Sequence, residues 1–223
     1  MKNSAAIEYR RLGYSNERRA INPAALDALK TEFTCNSIGE RSFEFVRALA
    51  NSEIADVINK TIRHLTGKDA SPTRIIFFDK TTSANWSLGW HQDRVIAVRE
   101  RKAIAGYNKW TVKGGTIHVE PPFEVMENSI TVRISVDPAD HNNGALEILP
   151  GSHRLGKLSD SRSAALGEIS EAKTLETNPG DIVFLSTPIL HRSGPSRTSR
   201  RRRTIQIDYS WAPLPKPLEW AFR

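Results

Sequence analysis

Ile130-Thr131-Val132-Arg133-Ile134-Ser135-Val136-Asp137 alternates apolar with polar side chains without a break. Successive side chains of a β-strand point to opposite faces, so this stretch reads as one strand with an apolar face and a polar face. Outward from it, further short β-like runs cover Arg74 to Lys80, Ser87 to Asp93, Ala145 to Leu149, Asp181 to Ser186 and Thr204 to Trp211, set apart by Gly, Pro, Asn and Asp. Residues 1–71 have a helical texture instead. Asn22-Pro23 ahead of Ala24-Ala25-Leu26-Asp27-Ala28-Leu29-Lys30 combines a cap, a first-turn proline and strong helix formers. Ser52 to Leu65 is a second helix, with Ile54, Val57, Ile58, Thr61, Ile62 and Leu65 on one face and Gly67 closing it. A helical start followed by many short strands, without βαβ alternation, predicts a mainly β fold with flanking helices, a sandwich or jelly roll. The expected organisation is a single domain over 1–223, with 1–71 a helical buttress and 72–211 the jelly-roll core.

The 223 residues are 39% hydrophobic and 26% charged, enough for one real core. No apolar run approaches the ~20 residues of a membrane span. Met1 to Glu8 lacks the apolar heart of a signal peptide, and the lone Cys35 has no internal disulfide partner. The expectation is therefore a cytoplasmic protein without a membrane partner. The net charge of +7 owes much to Arg197, Arg200, Arg201, Arg202 and Arg203. Such a run is either a solvated loop or a surface for nucleic acid or another anion.

Chemistry concentrates in Trp90-His91-Gln92-Asp93 and Leu190-His191-Arg192-Ser193-Gly194-Pro195. Residues i and i+2 of a strand share a face, so His91 and Asp93 could grip one metal while Gln92 turns away. His-x-Asp alone occurs often by chance. His191 strengthens it, because it follows the turn and apolar strand Pro179 to Leu185 and a second strand could carry it to the same place. Two histidines and one carboxylate leave three coordination positions of Fe(II) open. His64, His141 and His153 read as bystanders, while His118 stays open as a pocket residue.

In four pieces the sequence resembles the phytanoyl-CoA dioxygenase family of Fe(II)/2-oxoglutarate oxygenases. They are Asn85 to Asp93, Asp137 with Asn143-Gly144-Ala145-Leu146-Glu147-Ile148-Leu149-Pro150-Gly151-Ser152-His153-Arg154, Gly180 to Phe184, and His191 to Ser196. The resemblance runs from about residue 72 to Tyr209. It implies a double-stranded β-helix (jelly roll, cupin-like) with iron in its mouth, held by His91, Asp93 and His191. It also implies 2-oxoglutarate as co-substrate, with Arg202 on its far carboxylate and Ser193 as a hydrogen-bonding neighbour. Arg200 shares the parity of Arg202 and Arg203 opposes it, so the register within 200–203 stays open. Thr131 and Arg133 would line the co-substrate pocket, or Arg133 would pair with Asp137 or another buried carboxylate.

The implied reaction uses O2, releases succinate and CO2, and hydroxylates a small-molecule substrate. Related halogenases carry a small residue where this chain has Asp93, so halogenation is not expected. Arg94 to Pro122 is expected as a lid-like connection. Lys80, Trp86, Trp110 and His118 are candidate contacts for an acidic or amphipathic metabolite. The chain shows no evident CoA-binding insertion, so the family's name is not carried over as a substrate. Two other readings stand beside this one: a jelly-roll metal enzyme that does not use 2-oxoglutarate, and a basic nucleic-acid-binding protein.

Overall fold

The computed structural model describes residues 2–33, 49 and 52–222. The N-terminal part contains α1 (Lys2–Leu12), β1 (Tyr14–Glu17), α2 (Pro23–Thr31) and α3 (Glu53–Thr66). Then follow β2 (Ser71–Lys80), β3 (Leu88–His91), β4 (Ile96–Val98), β5 (Asn108–Lys113), β6 (Thr116–Glu120) and α4 (Phe123–Glu127). The last part holds β7 (Ser129–Ser135), β8 (Leu146–Ile148), a 3-10 turn (Ser152–Leu155), α5 (Asp160–Ile169), β9 (Lys173–Thr174), β10 (Ile182–Ser186), β11 (His191–Ser193) and β12 (Arg202–Ser210). A five-stranded sheet in the order β1-β10-β7-β12-β2 and a four-stranded sheet β3-β11-β8-β9 enclose a cavity between them. The pairings are antiparallel, which makes this the expected double-stranded β-helix.

The alternation in β7 has the predicted consequence. Ile130, Val132 and Ile134 are wholly buried on the outer face of the large sheet, beside Ile75, Phe77, Ile182, Phe184, Ile205 and Ile207. The helices α2 and α3 cover that face with Leu26, Leu29, Ile54, Ile58, Ile62 and Leu65. Each such side chain contributes roughly 1.5–3 kcal/mol through burial. The expected cap and stop hold, since Asn22 accepts from Ala25 N and Gly67 ends α3 at φ 72°, while Ser52 is not in the helix but caps it, accepting from Ala55 N.

The opposite, inner face of the sheet is polar on β7 and β12. On β12 its residues are Arg202, Thr204, Gln206 and Asp208, each paired in register with β2: Lys80, Phe78, Ile76 and Arg74 respectively. On the other flank β7 sets Ser135, Arg133 and Thr131 against Thr204, Gln206 and Asp208. Charged side chains inside a barrel need partners or a ligand, and this face builds the site.

Several expectations need correction. Residues 1–71 are not only helical: Tyr14–Glu17 is an edge strand of the large sheet, bonded to β10. Its Ser15-Asn16-Glu17 offers no apolar alternation, so backbone pairing rather than burial sets it. Residues 94–122 do not form a lid-like connection. They contain β4, β6 and β5, a separate three-stranded sheet with its own cluster of Ile96, Val98, Tyr107, Val119, Met126, Leu218 and Trp220. The β3 strand ends at His91, so Asp93 lies just past it, and β12 starts earlier than expected, at Arg202. Helix α5, capped by Ser159 accepting from Arg162 N, was not foreseen. Cys35 lies outside the described residues. No helix among the described residues is long and apolar enough to cross a membrane.

Candidate metal centre and co-substrate cavity

His91 and His191 are cross-strand partners in the β3–β11 ladder, which is how positions so distant in sequence meet. Their ring centroids lie 4.3 Å apart. With Asp93 they offer one ligand atom each, all within 4.8 Å of one another. His91 Nδ1 lies 2.7 Å from Gly89 O and His191 Nδ1 lies 3.0 Å from Ile189 O. In the tautomer that donates from Nδ1, both rings keep the Nε2 lone pair for a metal, which is the usual outer-shell arrangement. Burial, together with His91, pushes His191 down to about 4, so this imidazole is neutral at ordinary pH. Burial pushes Asp93 upward, but Arg74 and the two imidazoles outweigh it and draw the carboxyl down to about 2. Two imidazole nitrogens and one carboxylate oxygen suit a divalent first-row metal.

Gln92 turns away from the cavity that His91 and Asp93 line. Its buried amide donates to Gly156 O and Pro188 O and accepts from Leu158 N, each at 2.9 Å. It thereby ties the turn of His91 and Asp93 to the segment that leads into His191. On the other side, Gln206 Nε2 stands 3.3 Å from Asp93 Oδ2 and 3.2 Å from Asp208 Oδ1.

Two basic side chains, Arg202 and Arg133, line the cavity further in, and Lys80, expected there too, stands beside them outside the lining. Arg202 is 2% exposed, and its Nε has no hydrogen-bond partner. Burial and Arg133 push it down to about 9. Arg133 donates to Gln206 Oε1 and lies 5.2 Å from the centre of the Phe78 ring. Burial lowers it to about 10, with Asp93 and Asp208 opposing. Lys80 is wholly buried and is lowered to about 7 by burial, Arg202 and Arg133. Its Nζ donates to Gly194 O at 2.6 Å and Ser193 Oγ at 3.3 Å, and lies 4.8 Å from the Trp86 ring centre. Gly144 makes this corner possible. At φ +72° it would place a Cβ 2.3 Å from Gly194 O and 2.8 Å from Lys80 Nζ. Among the described residues, none of these three cations is in an ion pair with a carboxylate.

The register left open within 200–203 is resolved by those ion pairs. Arg200 pairs with Asp140, Arg201 with Asp79 and Arg203 with Asp137, leaving Arg202 as the arginine turned inward. Asp137 is thus engaged by Arg203, and Arg133 faces the cavity.

His91, Asp93, His191, Ser193, Arg133 and Arg202 line the cavity, with Trp86, Phe78 and Leu88 also in its wall. Thr131 is not in the lining; it donates to Asp208 Oδ1 at 3.1 Å and contacts Thr187 Oγ1 at 3.2 Å. Trp110 and His118 are not brought to the cavity either. They belong to the separate three-stranded sheet, where Arg101 sits 5.8 Å from the Trp110 ring and His118 Nδ1 lies 2.9 Å from Thr116 O. His153 serves locally, its Nε2 3.1 Å from Arg10 O. The sequence reading missed Gln206, Arg74 and Asp208. A signal was present, since Gln206 and Asp208 repeat the parity of Arg202, and Arg74 repeats that of Lys80.

A family model described as phytanoyl-CoA dioxygenase (PhyH) matches residues 14–204. A methylphosphonate hydroxylase of Gimesia maris is 34% identical over 95 residues, covering 40% of this chain and 36% of that protein. A probable alpha-ketoglutarate-dependent hypophosphite dioxygenase of Stutzerimonas stutzeri is 32% identical over 103 residues, covering 39% and 35%. The chain thus spans little more than a third of the length of these curated relatives. Among solved structures, AviO1 from Streptomyces viridochromogenes superimposes with a TM-score of 0.66 at 21% identity, covering 97% of this chain and 98% of that one.

Proposed function

This chain belongs to the phytanoyl-CoA dioxygenase family, and we propose that it acts as one catalytic domain over residues 1–223, an Fe(II)- and 2-oxoglutarate-dependent oxygenase that hydroxylates a small acidic metabolite. One observation carries the reading: a His-Asp-His ligand set shares a cavity with buried cations that have no carboxylate of their own. A buried charge without a partner is costly, and an incoming dianion would relieve that cost. When bound, Fe(II) and 2-oxoglutarate supply the chemistry that spends O2 to give succinate, CO2 and an oxidised substrate.

The chain's own residues do the rest. His91, Asp93 and His191 hold the metal. The planar fork of Arg202, with the Lys80 ammonium beside it, is suited to the far carboxylate of 2-oxoglutarate. Arg133, set across from Gln206 and close to Asp93, adds positive charge at the metal end. Ser193 Oγ donates to Gly144 O at 2.9 Å and so is fixed where Lys80 can reach it. Phe78, Trp86 and Leu88 supply apolar wall that keeps water from the reacting groups.

Asp93 fills the place that a halogenase would leave for halide, which favours hydroxylation over halogenation. The surplus of buried positive charge favours an acidic substrate, the class to which methylphosphonate and hypophosphite belong. Anaerobic reconstitution with Fe(II), followed by O2 and 2-oxoglutarate with a panel of small acids, tests the assignment. Succinate should form only when Fe(II), 2-oxoglutarate and O2 are all present, and Asp93→Ala should abolish it. Succinate formation that persists in Asp93→Ala would rule this centre out.

A further inference from the structure

Arg74 and Asp208 form a buried cross-strand pair that lies beside the ligand set without belonging to it. Arg74 is 4% exposed, and its Nε donates to Asp208 Oδ2 at 2.5 Å. The guanidinium reaches further: Nη2 stands 3.6 Å from Asp93 Oδ2, and this buried nitrogen has no hydrogen-bond partner. Asp208 cannot swing, because its Oδ1 accepts from Thr131 Oγ1 at 3.1 Å and Gln206 Nε2 at 3.2 Å. Both groups directed at Asp93, Gln206 Nε2 and Arg74 Nη2, address the same oxygen, Oδ2.

We propose that Arg74 is a positioning residue for the metal carboxylate, anchored by Asp208 and Thr131. It engages Asp93 Oδ2 so that Oδ1 alone remains to serve as ligand. The inference rests on the metal-centre reading above and adds a role for residues that touch neither metal nor co-substrate. A one-oxygen carboxylate is what keeps coordination positions open for a bidentate co-substrate and O2. The arrangement also explains an otherwise costly feature. A guanidinium buried with one nitrogen unsatisfied is tolerated where the surrounding contacts serve a site. A purely structural pair would have no need to aim that nitrogen at a ligand.

The test uses Co(II) as a redox-stable probe of the full-length chain. Arg74→Met removes the charge and the fork, while Arg74→Lys keeps the charge on a smaller head. Co(II) affinity, measured by calorimetry, should fall about 10- to 100-fold in Arg74→Met. Arg74→Lys should recover part of that loss. The visible absorption of the Co(II) complex, which reports coordination number and geometry, should change in both variants as Asp93 gains freedom to bind through both oxygens. Co(II) affinity within about two-fold of the parent protein, with an unchanged spectrum in folded variants, would overturn the proposal. Loss of folding in both variants would overturn it too, since the pair would then serve the sheet rather than the ligand. A parent protein that binds no Co(II) would instead count against the metal centre itself, so the two failures are distinguishable.

Discussion

Arg202 shows how neighbours decide what a side chain does. Arg200, Arg201 and Arg203 each meet a carboxylate, and Arg202 turns inward without one. If it binds the far carboxylate of 2-oxoglutarate, Arg202→Gln loses a charge-assisted fork worth about 1.5–3 kcal/mol. Calorimetry on metal-loaded protein should then show 2-oxoglutarate affinity falling roughly 10- to 100-fold, with Co(II) affinity unchanged. Lys80 makes a pH-dependent prediction. Burial, Arg202 and Arg133 hold it at about 7. A carboxylate placed beside it favours the charged form and raises that value. Binding of 2-oxoglutarate at pH 8 should therefore take up a proton, visible as a buffer-dependent calorimetric enthalpy. At pH 6, where Lys80 is already protonated, its share of that uptake should vanish, and Lys80→Met should remove it at pH 8. A buffer-independent enthalpy at pH 8 would separate Lys80 from the co-substrate.

Among the elements, the decisive event is the pairing of β3 with β11, because it makes His91 and His191 direct partners. Helix α5 backs this pair. Gly167 packs against Trp90 so closely that an added Cβ would lie 1.9 Å from Trp90 Cδ1. Gly167→Ala should consequently push α5 from β3 and cost about 1–3 kcal/mol of stability by overpacking. Denaturant unfolding checks this, and an unchanged midpoint would show that the helix yields freely. Periodicity made β7 and α3 legible in the sequence, because burial of one face leaves a trace in the letters, and a cap, a first-turn proline and strong formers did so for α2. It could not reveal β1, whose polar residues are held by backbone bonds to β10. Nor could it show that Trp110 and His118 belong to a separate small sheet, since their own run carries cationic and aromatic residues compatible with either place.

At the scale of the whole molecule, two faces of one sheet divide the work. The outer face of β2, β7, β10 and β12 buries aliphatic side chains under α2 and α3, while the inner face carries the charges. The cluster of His91, Asp93 and His191 was legible because three residue types at recognisable settings suffice to single it out. The network behind it was not, because Arg74 and Asp208 become partners only through the register of β2 against β12. The large positive net charge is likewise less available than its letters imply, since much of the basic run is consumed in internal ion pairs.

The central claim is that one cavity binds metal and 2-oxoglutarate together. Anaerobic calorimetric titration of 2-oxoglutarate into Fe(II)-loaded protein tests it most directly. One equivalent should bind to the parent protein, and His191→Ala, although folded, should bind neither Fe(II) nor the co-substrate tightly. Equal 2-oxoglutarate binding with and without Fe(II), or in the parent and His191→Ala proteins alike, would contradict the account.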